Sequence, residues 1–126
     1  MDLLLDTHAF LWWTAVDPRL VETARAAIAD SANRVVVSAV SVWEISIKRA
    51  SGKLVFAADI LQVLASTGFD TLDITAPHAD AAGSLPMHHA DPFDRLLIAQ
   101  ARIEGLVLVT QDRHLVPYGV PVLGVT

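Results

Sequence analysis

Leu3-Leu4-Leu5-Asp6, Val35-Val36-Val37 and Leu106-Val107-Leu108-Val109 decide the fold class. Each contains a short, uninterrupted apolar run, as expected of a strand buried on both faces rather than one with a wet side. The segments between them carry helical periodicity. Asp17 and Pro18 open a helix predicted over 18–32, where Leu20, Ala24, Ala27 and Ile28 recur at helical spacing. A second helix is predicted from Ser41 to a stop at Gly52, with Trp43, Ile47 and Ala50 on one stripe and Glu44 and Lys48 on the next. A third covers 57–67 before Gly68, a fourth opens at Thr75-Ala76-Pro77, and a fifth runs from Asp91 or Pro92 to Glu104, ended by Gly105. Weaker strand signals at 71–74 and 120–123 suit sheet edges. Doubly buried strands alternating with helices predict an α/β sandwich, a parallel sheet covered on both faces.

The chain has 126 residues, which predicts one domain spanning 1–126. With 53% hydrophobic and 18% charged residues it has the material for a core, so disorder is excluded for the chain as a whole. The net charge of −5 disfavours phosphate binding by a basic surface, so a nucleic-acid partner requires another source of positive charge. The absence of cysteine excludes disulfides and thiolate metal sites and suits a reducing compartment, so a cytoplasmic protein is expected. The amino end lacks the basic start of a secretory signal and is expected to be mature structure. No run approaches the roughly 18–20 apolar residues of a membrane span, so the positive mean hydropathy reflects core.

Open parallel sheets place ligands beyond the carboxyl ends of their strands. Asp6 directly follows the first strand, and Asp112 follows the strand ending at Val109. Asp91 and Asp94 fall in the first turn of the fifth helix, and Glu44 lies one turn into the second. Each acid also has a local explanation. Asp6 and Asp91 suit helix caps, Asp94 suits a helix amino end, Glu44 with Lys48 makes an i, i+4 surface pair, and Asp112 suits a tight turn. Their joint placement on one rim favours a cluster, and clustered carboxylates repel unless a cation neutralises them. Oxygen donors select a hard ion, Mg²⁺ or Mn²⁺. Zinc is less suited, because there is no His-Glu-x-x-His stretch and His88 and His89 are adjacent.

Four segments, Leu3 to Trp12, Ser41-Val42-Trp43-Glu44-Ile45, Asp91-Pro92-Phe93-Asp94-Arg95-Leu96-Leu97-Ile98-Ala99 and Val109-Thr110-Gln111-Asp112, together resemble the PIN-domain ribonucleases of the VapC toxin type. The resemblance covers essentially the whole chain. It implies a three-layer sandwich with a central parallel sheet in the order 3-2-1-4-5. It also implies a Mg²⁺- or Mn²⁺-dependent endoribonuclease toxin held inactive by a cognate VapB-like antitoxin, and homodimers. By position, Asp6, Glu44, Asp94 and Asp112 match the family's acids and Thr7 its adjacent hydroxyl, while Asp91 is an additional acid of one branch. The expected chemistry is phosphodiester hydrolysis by a metal-activated water, with Asp6 and Asp94 as principal ligands and Glu44 and Asp112 outside them. Arg95 is expected either to contact substrate phosphate or to pair with a neighbouring carboxylate. Phe10, Leu11, Trp12 and Trp13 are bunched more tightly than one helix face needs, as expected for an antitoxin groove, a dimer face or packing on the next helix. One rival is a phosphoacceptor signalling domain, but the chain lacks an Asp-Asp pair after the first strand and a lysine after the late one. The other is a catalytically silent binding module, against which the four intact acids argue.

Overall fold

The structure, a computed structural model, describes residues 1–125. Leu3, Leu4 and Leu5 are all fully buried because β1 (Asp2–Leu5) is the middle strand, paired in parallel with β2 (Arg34–Ser38) on one side and β4 (Val107–Val109) on the other. The edges are the short strands β3 (Asp70–Leu72), paired with β2, and β5 (Val122–Leu123), paired with β4. The sheet is therefore parallel throughout, in the order 3-2-1-4-5. Alternation along the strands divides the core. Leu3, Leu5, Val35, Val37 and Val109 face one layer, formed by α1 (Thr7–Thr14), α2 (Glu22–Ala29), α3 (Ala39–Ala50) and α4 (Ile60–Thr67). Leu4, Val36 and Leu108 face the other, with Leu97, Ile98 and Ala101 of α6 (Pro92–Glu104) and Leu115 and Tyr118 of the 3-10 helix Arg113–Tyr118. The fourth predicted helix, α5 (Ala76–Gly83), packs against α6.

Two strand-to-helix junctions have no loop at all. Asp6 directly follows β1 and caps α1, and Ser38 ends β2 while its hydroxyl accepts from Val40 N at 3.0 Å to cap α3. Such turns leave the first side chains of both helices over the carboxyl edge of the sheet. On the far side of that edge the backbone closes tightly. Gly124 has φ +110°, and a Cβ there would lie 2.8 Å from the Thr110 carbonyl oxygen.

Several boundaries differ from the expected ones. The helix predicted over 18–32 forms only at Glu22–Ala29, because its first third is committed elsewhere. The Asp17 carboxylate takes the Arg19 backbone N–H at 2.9 Å and its guanidinium at 2.7 Å, and Gln111 accepts the Val21 N–H at 2.9 Å. The third helix begins at Ile60 rather than 57, where Asp59 accepts from Leu61 N and Gln62 N. The second begins at Ala39, and its stripes are the reverse of ordinary amphipathicity: Trp43 and Ile47 are exposed, and Ser41, Glu44 and Ile45 are buried. The fourth and fifth begin at their predicted caps, Thr75 and Asp91. No helix among the described residues is long and apolar enough to cross a membrane.

Candidate active site at the carboxyl edge of the sheet

Asp6 forms the floor of the site. Its backbone N–H donates to Val109 O at 3.0 Å, which fixes it between two strands, and its Oδ1 accepts from Ala9 N at 2.8 Å. Burial pushes its carboxyl up to about 6, and the charges of Glu44 and Asp112 add to the rise, against the hydrogen bonds from Ala9 and the Thr110 hydroxyl. The next residue, Thr7, reaches across to α3. Its hydroxyl donates to Glu44 Oε1 at 2.6 Å and stands 3.1 Å from the Ser41 hydroxyl. The second oxygen of Glu44 takes the Lys48 ammonium. The i, i+4 pair predicted for the surface thus exists, but Glu44 is only 4% exposed and faces the site. The hydrogen bond to Glu44 holds the Lys48 ammonium above its ordinary pKa, and the charges of Asp91 and Asp94 act in the same direction.

Asp94 approaches from the first turn of α6. Asp91 is that helix's cap, its Oδ1 accepting from Phe93 N at 2.8 Å and Asp94 N at 3.2 Å. Burial and then the charge of Asp91 push the Asp94 carboxyl up to about 6, with smaller contributions from Asp6 and Glu44 and opposition from a hydrogen bond to His89. Asp112 caps the 3-10 helix. Burial raises its carboxyl, but the His114 backbone N–H at 2.9 Å and ring Nδ1 at 2.8 Å together hold it below its ordinary value. His89 joins the two. Its Nε2 lies 2.9 Å from Asp94 Oδ2 and 3.9 Å from Asp112 Oδ2, and its ring stacks on His114 with centroids 5.6 Å apart.

The predicted acids therefore meet at one edge in two groups. His89, Asp94 and Asp112 each offer a donor atom within 4.8 Å of the others, the one such trio among the described residues. Thr7, Ser41, Glu44 and Lys48 form a hydrogen-bonded chain beside it, and Asp6 is within electrostatic reach of Glu44, Asp94 and Asp112. Asp6 and Asp94, whose ionisation is opposed by burial and by neighbouring acids, share an edge with Glu44 and Asp112, an arrangement that a divalent cation relieves, and the oxygen-rich donor set fits one. Of the adjacent pair His88-His89, His89 reaches the acids, and His114 is a neighbour that the sequence reading does not mark. The sequence signal is their spacing to the acids: His89 five residues before Asp94, and His114 two after Asp112.

Arg95 fulfils neither expected role. It is 8% exposed, and its guanidinium donates inward to the carbonyls of Ala82 and Leu85 at 2.9 Å and of Pro86 at 3.0 Å. Among the described residues no carboxylate pairs with it, and its guanidinium is taken up by these carbonyls. Arg95→Met should leave those carbonyls unpartnered and cost about 3 kcal/mol or more, read as a fall in the urea midpoint at unchanged slope. A midpoint within experimental scatter of the wild type would contradict the clamp.

The chain matches the PIN domain family across residues 3–119. It is 35% identical over 116 residues to Ribonuclease VapC22 of Mycobacterium tuberculosis, covering 90% of this chain and 88% of that protein. Among solved structures it resembles DNA-bound VapBC from Salmonella typhimurium, with a TM-score of 0.67 at 17% identity over 98% of this chain and 97% of that one. A toxin-antitoxin complex from Klebsiella pneumoniae gives a TM-score of 0.67 at 18% identity over 96% and 95%. These two likenesses are of fold. The matched residues run from β1 to the end of the 3-10 helix and take in every acid at the sheet edge, which places this chain in the PIN domain family.

Proposed function

We propose that this chain is a Mg²⁺- or Mn²⁺-dependent endoribonuclease, the toxin of a toxin-antitoxin pair, acting in the cytoplasm. The observation that carries the reading is the pair Asp6 and Asp94, both pushed up to about 6 at one edge of a parallel sheet where Glu44 and Asp112 add further negative charge. The name of the 35%-identical relative, Ribonuclease VapC22, supports RNA as substrate. Asp6, Asp94 and Asp112 would hold the ion. When bound, a divalent ion supplies a water of lowered pKa and positive charge opposite the phosphodiester. Both oxygens of Glu44 already accept hydrogen bonds, from Thr7 and Lys48, so Glu44 acts outside the direct ligands and orients water. Thr7 fixes Glu44, and Lys48 supplies a cation next to an otherwise acidic rim. Asp91 works through α6 as its cap and through its charge on Asp94.

A VapB-like antitoxin is the partner, in keeping with the VapBC complexes among the structural relatives. Phe10 is buried in the core, but Leu11 and Trp12 line a groove of about 470 Å³ with Leu54, Phe56 and Arg19, a surface fit for an apolar antitoxin segment. The enzymatic reading is tested by incubating purified protein with mixed RNAs in Mg²⁺ or Mn²⁺ and with EDTA. Fragments should form with either ion, vanish with the chelator and return on adding metal. Cleavage that persists in EDTA, or none with either ion, contradicts it, and a stable aspartyl phosphate after treatment with acetyl phosphate would favour the signalling rival.

A further inference from the structure

We infer that His89 is a direct nitrogen ligand in this site and tilts it toward Mn²⁺-type ions over Mg²⁺. The inference rests on the metal site proposed above. Two donors about 2.1 Å from one ion stand about 3 Å apart when adjacent and just over about 4 Å apart when opposite. His89 Nε2 stands 2.9 Å from Asp94 Oδ2 and 3.9 Å from Asp112 Oδ2, separations within that range.

The ring's position is built rather than incidental. The His89 N–H donates to the Tyr118 hydroxyl at 2.9 Å, and its carbonyl lies 3.3 Å from the same hydroxyl and 3.4 Å from an Arg95 guanidinium nitrogen. Arg95 at the same time gathers the carbonyls of Ala82, Leu85 and Pro86, so the segment before α6 is drawn down until its histidine meets Asp94. Stacking on His114 further limits the ring's orientation. Because these anchors are main-chain or belong to other residues, removing the imidazole leaves the segment in place. In the metal-free site His89 Nε2 shares a hydrogen bond with Asp94 Oδ2 at 2.9 Å, so any proton it carries there must leave before it can bind an ion. Ligation needs the Nε2 lone pair, so that proton moves to Nδ1 or to solvent. An imidazole donor favours later first-row ions, whereas Mg²⁺ keeps to oxygen.

The experiment titrates metal-stripped protein with Mn²⁺ and with Mg²⁺ by calorimetry, and records electron spin-echo modulation of the Mn²⁺-loaded protein for nitrogen coupling. His89→Ala should weaken Mn²⁺ binding by about 10-fold or more, change Mg²⁺ binding by less than about 3-fold, and lose the nitrogen coupling. His114→Ala should keep the coupling. No nitrogen coupling in the wild type, or equal losses for the two ions in His89→Ala, would overturn the ligand while leaving the carboxylate site standing. Coupling that disappears in His114→Ala and survives in His89→Ala would assign the nitrogen to the wrong ring and also overturn it. Failure of both ions to bind the wild type would overturn this inference together with the metal-dependent function.

Discussion

Asp94→Asn should lower single-turnover RNA cleavage by about 10³-fold or more at saturating metal, a loss of about 4 kcal/mol of transition-state stabilisation. The substitution removes a charge and almost nothing else. Asparagine can still hydrogen-bond His89, the α6 cap at Asp91 is untouched, and the Arg95 clamp is made to main-chain carbonyls rather than to the Asp94 side chain. What disappears is one of the two carboxylates whose ionisation the fold opposes, and with it a draw on a cation at that edge. Asp91→Asn is the informative companion. Asparagine caps a helix about as well as aspartate, so if Asp91 acts only as a cap and a distant charge, cleavage should fall by less than about 5-fold. Equal losses in both variants would show that the acid read as a cap takes part in the chemistry, and near-wild-type cleavage by Asp94→Asn would remove Asp94 from the site.

Those acids could be read from the chain because each follows a buried strand or opens a helix, and in a parallel sheet both positions fall on the same edge. The three leucines of β1 made the centre of the sheet legible for the same reason, since a strand flanked by neighbours and covered on both faces tolerates no polar residue. What escaped the sequence depends on contacts made at a distance. The helix expected at 18–32 lost its first third to Asp17 and to Gln111, a residue 90 positions away. Helix α1 is apolar on nearly every side and so shows no stripe to mark it. The inner face of α3 carries polar Ser41 and Glu44 beside the core residues Val40 and Ile45 because that helix starts at the functional edge: Ser41 and Glu44 are buried at the site while Trp43 and Ile47 are left outside. His89 reaches the acids because Arg95 and Tyr118 hold its segment inward, and an arginine next to a candidate site aspartate invites a functional reading that the buried carbonyls contradict.

Stripped of metal, the protein should lose stability as pH rises from about 4 to 7, opposite to the usual behaviour of structural carboxylates. Asp6 and Asp94 titrate near 6 in the folded chain against 3.8 as the ordinary value. Between those limits the folded state binds more protons than the unfolded one, so unfolding free energy falls with pH through that window and levels off above it. A displacement of that size corresponds to about 3 kcal/mol for Asp6, a large share of the roughly 5–15 kcal/mol available to a domain, and Asp94 adds to it. Asp112 has the opposite sign: held below its ordinary value by His114, it contributes stability that is lost only at more acidic pH. Urea denaturation in EDTA across this range measures the slope. Asp6→Asn preserves the acceptor for Ala9 N, so at pH 8 it should stabilise the metal-free protein by up to about 3 kcal/mol while shrinking the gain from Mg²⁺ or Mn²⁺. With saturating metal the wild-type slope should flatten or reverse, because the ion competes with protons for the same oxygens and binds best when they are ionised. A metal-free protein whose stability climbs from pH 4 to 7 would mean that these carboxylates ionise at their ordinary values, and the mutual repulsion that draws a cation to this edge would be absent.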